Sequence, residues 1–201
     1  MIFQRSSPSA CVRNGVHYVD LTGETPWVKY IINRCVTPSL HLVDDITSST
    51  SYDYYATKTG SIIVPQCGYD SIPSDISAFL ANKTLKAHSP LLNLGTSTTA
   101  HKIRGGVSGG TFSSAMTAIE EVPRYERKEA SLPHSLSPIV GVKPSPPQFW
   151  YNLPIPGSKE TYGAFFFMQP ANRALVQRTA GLLELEAIMH EGALYFLTIS
   201  T

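Results

Sequence analysis

Apolar positions along this chain fall into blocks that switch between two periods. Val16–Leu21 and Ser61–Pro65 are short runs carrying Val, Ile, Tyr and Leu, and they read as strands. A helical pattern follows each. After the first, Thr25 is placed to cap a helix and Pro26 to occupy its first position, and Trp27, Tyr30, Ile31 and Arg34 recur at helical spacing. After the second, a helix is expected over Ser74–Lys86, with Ser74 as N-cap and Ile76, Phe79 and Leu80 on one side. Strand, helix, strand, helix predicts an α/β fold with a parallel sheet.

The pattern then changes. His88-Ser89-Pro90 and Asn93-Leu94-Gly95 read as a linker, and Thr96–Arg104 as a Thr-rich strand. A glycine turn, Gly105–Gly110, precedes a helix over Thr111–Val122 with Ala115, Met116, Ile119 and Val122 in line. Residues 131–156 hold Pro133, Pro138, Pro144, Pro146, Pro147, Pro154 and Pro156, so irregular chain with short edge strands is expected. Tyr162–Met168 reads as a strand and Asn172–Leu185 as a helix with the apolar stripe Leu175, Val176, Thr179 and Leu182. The expected division is residues 1–87, an α/β half-domain, and residues 88–201, an incomplete α+β subdomain.

Composition narrows the field. The chain has 201 residues, 42% hydrophobic, and a net charge of +1, enough for one sizeable core and without an electrostatic reason to bind nucleic acid. Arg124, Arg127 and Lys128 are balanced by Glu120, Glu121, Glu126 and Glu129, which reads as a solvated face. Cys11, Cys35 and Cys67 form no paired spacing, and no secretory apolar segment follows Met1. A reducing, cytoplasmic setting is expected. Ala164-Phe165-Phe166-Phe167-Met168 is too short to span a bilayer; it reads as a core strand, with contact at a membrane surface as the other option. His17, His41, His88, His101, His134 and His190 stand apart, so no metal site is expected.

Candidate chemistry gathers where the strands end. In open α/β sheets ligands lie beyond the carboxyl ends of the strands, which points to Thr22-Gly23-Glu24 and to Cys67-Gly68-Tyr69-Asp70-Ser71. The wording of these segments is itself informative. Cys67-Gly68-Tyr69-Asp70-Ser71-Ile72-Pro73-Ser74-Asp75 resembles the CGFDSIPSD block of the saccharopine dehydrogenase-like oxidoreductases, a group that includes trans-acting enoyl reductases. His17–Glu24 (HYVDLTGE) and Arg104–Thr111 (RGGVSGGT) resemble two further blocks of that family, in the same order. The resemblance covers most of residues 8–34 and 52–185.

It implies the late half of a Rossmann-like parallel sheet followed by a substrate and dimerisation subdomain. It further implies hydride transfer from NADPH to an activated double bond or imine, with the protein orienting the reactants. For an enoyl thioester, charge builds on the thioester oxygen and a proton must reach the α-carbon. Tyr69 is the leading acid, with Ser71 and Asp70 beside it. Thr22, Gly23, Glu24, Cys67 and Gly68 would border the nicotinamide; Arg104, Gly106, Ser108 and Gly109 would face substrate. Packing for Tyr69, capping for Asp70 and Asp75, and first-turn stabilisation for Glu24 are the structural alternatives. Partners implied are an enoyl intermediate on a polyketide synthase, in a secondary-metabolite or fungal toxin pathway, and a second copy of the chain.

Three departures weigh on that reading. No G-x-G-x-x-G occurs, so the usual pyrophosphate cradle is missing and NADPH affinity is expected to suffer. Residues 35–51 interrupt a family-like helix, as a retained intron, a mispredicted exon or a natural surface insertion. The resemblance fades after Ala187, so the chain reads as the middle of an enzyme. An inactive remnant acting at most as a binding partner is the alternative. Gly106-Val107-Ser108-Gly109-Gly110 also fits G-x-S-x-G, which would make Ser108 a hydrolase nucleophile with Glu160 and His190 following. The polar Thr98–Ile103 segment before it argues against that.

Overall fold

The computed structural model describes residues 2–35, 52–92, 94–95, 98–99, 101, 106, 108–141, 150–153 and 161–191. The 36–51 stretch, and with it the suspected insert and His41, lies outside the described residues, as does most of the expected strand at 96–104. The fold mixes helix with two small sheets, one parallel and one antiparallel. It forms two compact units interleaved in sequence. The first takes Met1–Tyr69 and Val107–Ala130; the second takes Asp70–Gly106 and Ser131–Thr201.

In the first unit, helix α1 (Ile2–Arg13) precedes strand β1 (Tyr18–Val19), and helices α2 (Thr25–Cys35) and α3 (Tyr52–Thr59) lead to strand β2 (Ile63–Val64). The strands pair in parallel, Tyr18 opposite Ile63 and Val19 opposite Val64. One device sets up both strands. Gly15 (φ 70°) and Gly60 (φ 69°) follow α1 and α3 in the left-handed region, which glycine enters without steric cost. Val16 N–H then reaches back to Cys11 O at 2.9 Å, and Ser61 N–H to Ala56 O at 3.1 Å. Both are Schellman closures, so each helix is turned directly into a strand. The core beneath the sheet is Val12, Trp27, Ile31 and Tyr52, with Tyr18, Tyr30, Tyr55 and Ile63 packed around it. The opposite face, Val19, Leu21, Ile62 and Val64, is exposed. Helices α4 (Ile72–His88), α5 (Gly109–Glu121) and α6 (Arg124–Ala130) follow in the chain, α4 in the second unit. On α6, Glu129 takes Lys29 Nζ at 2.6 Å; this helix was read from sequence only as a solvated, charge-balanced run.

In the second unit, α4 packs on α7 (Gln169–Glu191), and an antiparallel hairpin pairs β3 (Trp150–Leu153) with β4 (Thr161–Ala164). The Pro-rich segment forms turns through 131–140, with Leu136 buried as its anchor. Three helix expectations are corrected. Helix α4 starts at Ile72 with Ser71 as N-cap, because Pro73 is tolerated in a first turn where no intrahelical partner is needed. Ile76, Phe79 and Leu80 do not enter the described core; the buried side of α4 is Ser74 and Ala78. Among the described side chains of α7 the buried residues are Ala171, Asn172, Ala174, Val176, Gln177 and Gly181, while Leu182 is exposed. Small and polar side chains let the two helices approach, which leaves the larger apolar residues outside. Likewise Met116 and Ile119 of α5 are exposed and Val122 is buried.

Candidate functional site

Parallel strands deliver both of their carboxyl ends to one edge, and in the first unit one residue ties those ends together. Asp20 follows β1 directly. Its Oδ1 accepts Thr22 N–H at 3.1 Å and Gln66 N–H at 3.0 Å, and its Oδ2 accepts the Tyr18 hydroxyl at 2.8 Å. Its backbone joins the same knot: Cys67 N–H donates to Asp20 O at 2.7 Å, and Asp20 N–H to Val64 O at 3.4 Å. The loop after β1 and the loop after β2 are therefore held by one carboxylate. Thr22 Oγ1 accepts Glu24 N–H at 3.3 Å, and Glu24 O accepts Val28 N–H at 3.1 Å, so Glu24 stands at the start of α2.

Three titratable groups around the knot are pushed toward their neutral forms. Burial raises Tyr18's phenol, and the hydrogen bond and charge of Asp20 add to it. Burial raises Glu24's carboxyl, with the charge of Glu121 adding to it. Burial raises the Cys67 thiol, again with Asp20 contributing, and its Sγ lies 3.3 Å from Val64 O. The Tyr18 hydroxyl and the Cys67 thiol already donate within the knot, to Asp20 Oδ2 and to Val64 O.

Two side chains there hold polar atoms without a protein partner among the described residues. Glu24 Oε2 is buried and unpaired, and so are both Nε2 and Oε1 of Gln66. Gln66 is only 2% exposed and sits at φ 61°, a left-handed conformation costly for a residue with a Cβ. Tyr69, by contrast, is 88% exposed.

A nicotinamide cofactor fits this end of the unit and not through its phosphates. The start of α2 lacks one N–H at Pro26 and has the Asp20 carboxylate nearby, which disfavours an anion. The orphaned carboxyl oxygen and carboxamide suit a neutral polar ring substituent instead.

The other expected site residues are distributed as follows. Thr22, Gly23, Glu24, Cys67 and Gly68 are brought to one edge by Asp20. Asp70 and Ser71 belong to the second unit. Asp70 O accepts Asn172 Nδ2 at 2.9 Å, and Ser71 is 1% exposed at the start of α4. Ser74, expected as a cap, instead lies inside the helix, 3.1 Å from both Asn172 Nδ2 and His101 Nε2. Asp75 accepts the Thr179 hydroxyl at 2.8 Å, and burial raises its carboxyl. Arg104 lies outside the described residues, while Gly106 is exposed. Ser108 caps α5: its Oγ accepts Thr111 N–H at 3.2 Å, with Gly109 opening the helix. Glu160 and the His190 side chain lie outside the described residues. Sequence reasoning missed Asp20, Tyr18 and Gln66. Asp20 was visible as an acid near the end of the Val16–Leu21 run and Gln66 as the polar residue directly after Ser61–Pro65. Among the described residues no group of His, Cys, Asp or Glu could hold a metal ion, and no helix is long and apolar enough to cross a membrane.

No protein-family model and no solved structure matches the chain. Similarity appears among curated proteins. A Mycobacterium tuberculosis protein named as a trans-acting enoyl reductase is 29% identical over 186 residues, covering 88% of this chain and 40% of its own length. A trans-acting enoyl reductase of Mycobacterium bovis is 28% identical over 189 residues, with the same coverage. An Arabidopsis thaliana protein named as a mitochondrial saccharopine dehydrogenase-like oxidoreductase is 25% identical over 176 residues, 85% of this chain and 33% of its own length. The chain is thus similar, over most of its own length, to trans-acting enoyl reductases and a saccharopine dehydrogenase-like oxidoreductase, and spans about 40% of the length of the enoyl reductases.

Proposed function

We propose that the strand-end knot is the nicotinamide and substrate wall of an NADPH-dependent enoyl reductase, built on a Rossmann-like sheet. The observation that carries this reading is the pair of strand-end loops closed by Asp20, with Glu24 and Gln66 presenting unpaired polar atoms beside them. Parallel-strand ends are where α/β folds bind ligands. The names of the similar proteins support the same reaction class.

NADPH, when bound, would supply the hydride. The chain's own residues supply the rest. Asp20 holds the two loops together through Oδ1 while Oδ2 takes the Tyr18 hydroxyl, so it is a positioning residue. Thr22 and Gly23 border the ring. Glu24, Cys67 and Gly68 border it as well. Tyr69, exposed on the loop after β2, is the proton donor to the α-carbon of the enoyl group. The substrate would be an enoyl thioester carried by a polyketide synthase, and a second copy of the chain is the expected partner.

A second reading has its own support. The sequence holds no G-x-G-x-x-G. A chain without that cradle would be an inactive remnant that no longer binds NADPH and acts at most as a binding partner. Titration with NADPH, followed by nicotinamide fluorescence and then by oxidation in the presence of an enoyl thioester, separates the two. Saturable binding with turnover supports the reductase. Saturable binding without turnover rejects the reductase, and the absence of saturable binding rejects it too and favours the inactive remnant.

A further inference from the structure

Gln66 combines two costs that its surroundings do not explain. Its backbone takes a left-handed φ of 61°, and its carboxamide is buried at 2% exposure with neither the donor nor the acceptor used. A buried amide is nearly always paired, and leaving it unpaired is destabilising. The left-handed turn adds a steric cost. Strain of this kind concentrates where a ligand is handled. The position agrees: Gln66 N–H is bound to Asp20 Oδ1, the same atom that fixes the Thr22 loop.

We propose that the Gln66 carboxamide pairs with the carboxamide of a bound nicotinamide ring, and so sets the specificity of the site for an amide-bearing cofactor. This rests on the nicotinamide reading above. The chemistry follows from the orphaned atoms. Gln66 offers one donor, Nε2, and one acceptor, Oε1, in a single plane. A carboxylate or thioester provides acceptors only and would leave Oε1 unpaired. A primary carboxamide answers both atoms with its own C=O and N–H. Turning the side chain toward a ligand breaks no hydrogen bond to the described residues, because the amide makes none with them.

The test compares NADPH with its reduced 3-acetylpyridine analogue, which keeps the carbonyl and lacks the amide N–H. Affinities are measured by calorimetry for the full chain and for Gln66→Met, which keeps length and removes both polar atoms. The unaltered chain should prefer NADPH by about tenfold, the contribution of one hydrogen bond and the acceptor it satisfies. Gln66→Met should bind the two ligands about equally, and its melting temperature should not fall. Equal preference in the variant and the unaltered chain overturns the assignment while leaving the nicotinamide site standing. If Gln66→Met does not fold, the preference of the unaltered chain decides alone, and no preference overturns it. If the unaltered chain binds neither ligand, the nicotinamide reading fails first and this inference with it.

Discussion

Replacing Asp20 by alanine removes the one carboxylate shared by both strand-end loops. Three hydrogen bonds go with it: the Tyr18 hydroxyl at 2.8 Å, Gln66 N–H at 3.0 Å and Thr22 N–H at 3.1 Å. Bonds to a charged acceptor contribute about 1.5–3 kcal/mol each, and loss of the acceptor leaves donors unpaired. The knot is only part-buried, so water recovers much of that. A net loss of about 3 kcal/mol is expected, a fall of roughly 6–12 °C in melting temperature. Asp20→Asn keeps a neutral acceptor for the two backbone N–H groups and should lose about 1 kcal/mol. Alkaline pH adds a second readout. Tyr18 is held protonated in the fold, its phenol raised above the ordinary 10.0 by burial and then by Asp20. The unfolded chain therefore releases this proton at lower pH than the folded one, and stability falls as pH rises above that value. In Asp20→Ala the fall should be shallower, because burial alone remains. Urea and thermal unfolding across pH measure both effects. An Asp20→Ala variant as stable as the unaltered chain, with the same alkaline slope, would refute the reasoning.

Other substitutions probe the second unit. Asn172→Ala removes the buried donor to Asp70 O and Ser74 Oγ and should cost about 2–3 kcal/mol, read as a lower urea midpoint; an unchanged midpoint would mean the α4–α7 contact does not depend on it. Asp75→Asn should melt at or above the unaltered chain at neutral pH. Burial raises the Asp75 carboxyl, so its charged form weakens the fold as pH climbs above the ordinary 3.8, and the gap should close on acidification toward that value. Asp75→Asn melting lower at neutral pH would show that its bond from Thr179 outweighs burial. Gly181→Ala would ordinarily gain about 1 kcal/mol of helix propensity. Here the new Cβ meets Ser137 Oγ and lies 3.3 Å from Pro138 Cδ, so a net loss of about 1–3 kcal/mol is expected in thermal unfolding, and a gain would contradict the close packing of the 131–141 turns on α7.

The two parallel strands and the loops that follow them could be read from the chain because both signals are local. Apolar runs end at Leu21 and at Pro65, and helical spacing resumes a few residues on. Helix α1 was not read, although Asn14-Gly15 carries the same closing signal as Thr59-Gly60 before the second strand. What could not be read depends on packing between distant segments. The approach of α4 to α7 buries Ser74, Ala78, Asn172 and Val176, and large side chains such as Phe79 and Leu182 are left exposed. Spacing marks a stripe; it does not reveal that a narrow, polar stripe is the one facing a neighbour. Likewise Asp20 reads as one acid in a motif. Only the parallel register of Val19 against Val64 brings Gln66 N–H to it and makes it the tie between two loops.

Hydrogen exchange of the full chain with and without NADPH tests the central claim most directly. Ligand binding at the knot should slow exchange in Thr22–Glu24 and in Gln66–Tyr69 together, since Asp20 couples the two loops. Binding that leaves both segments unchanged, with protection appearing only elsewhere, would contradict it.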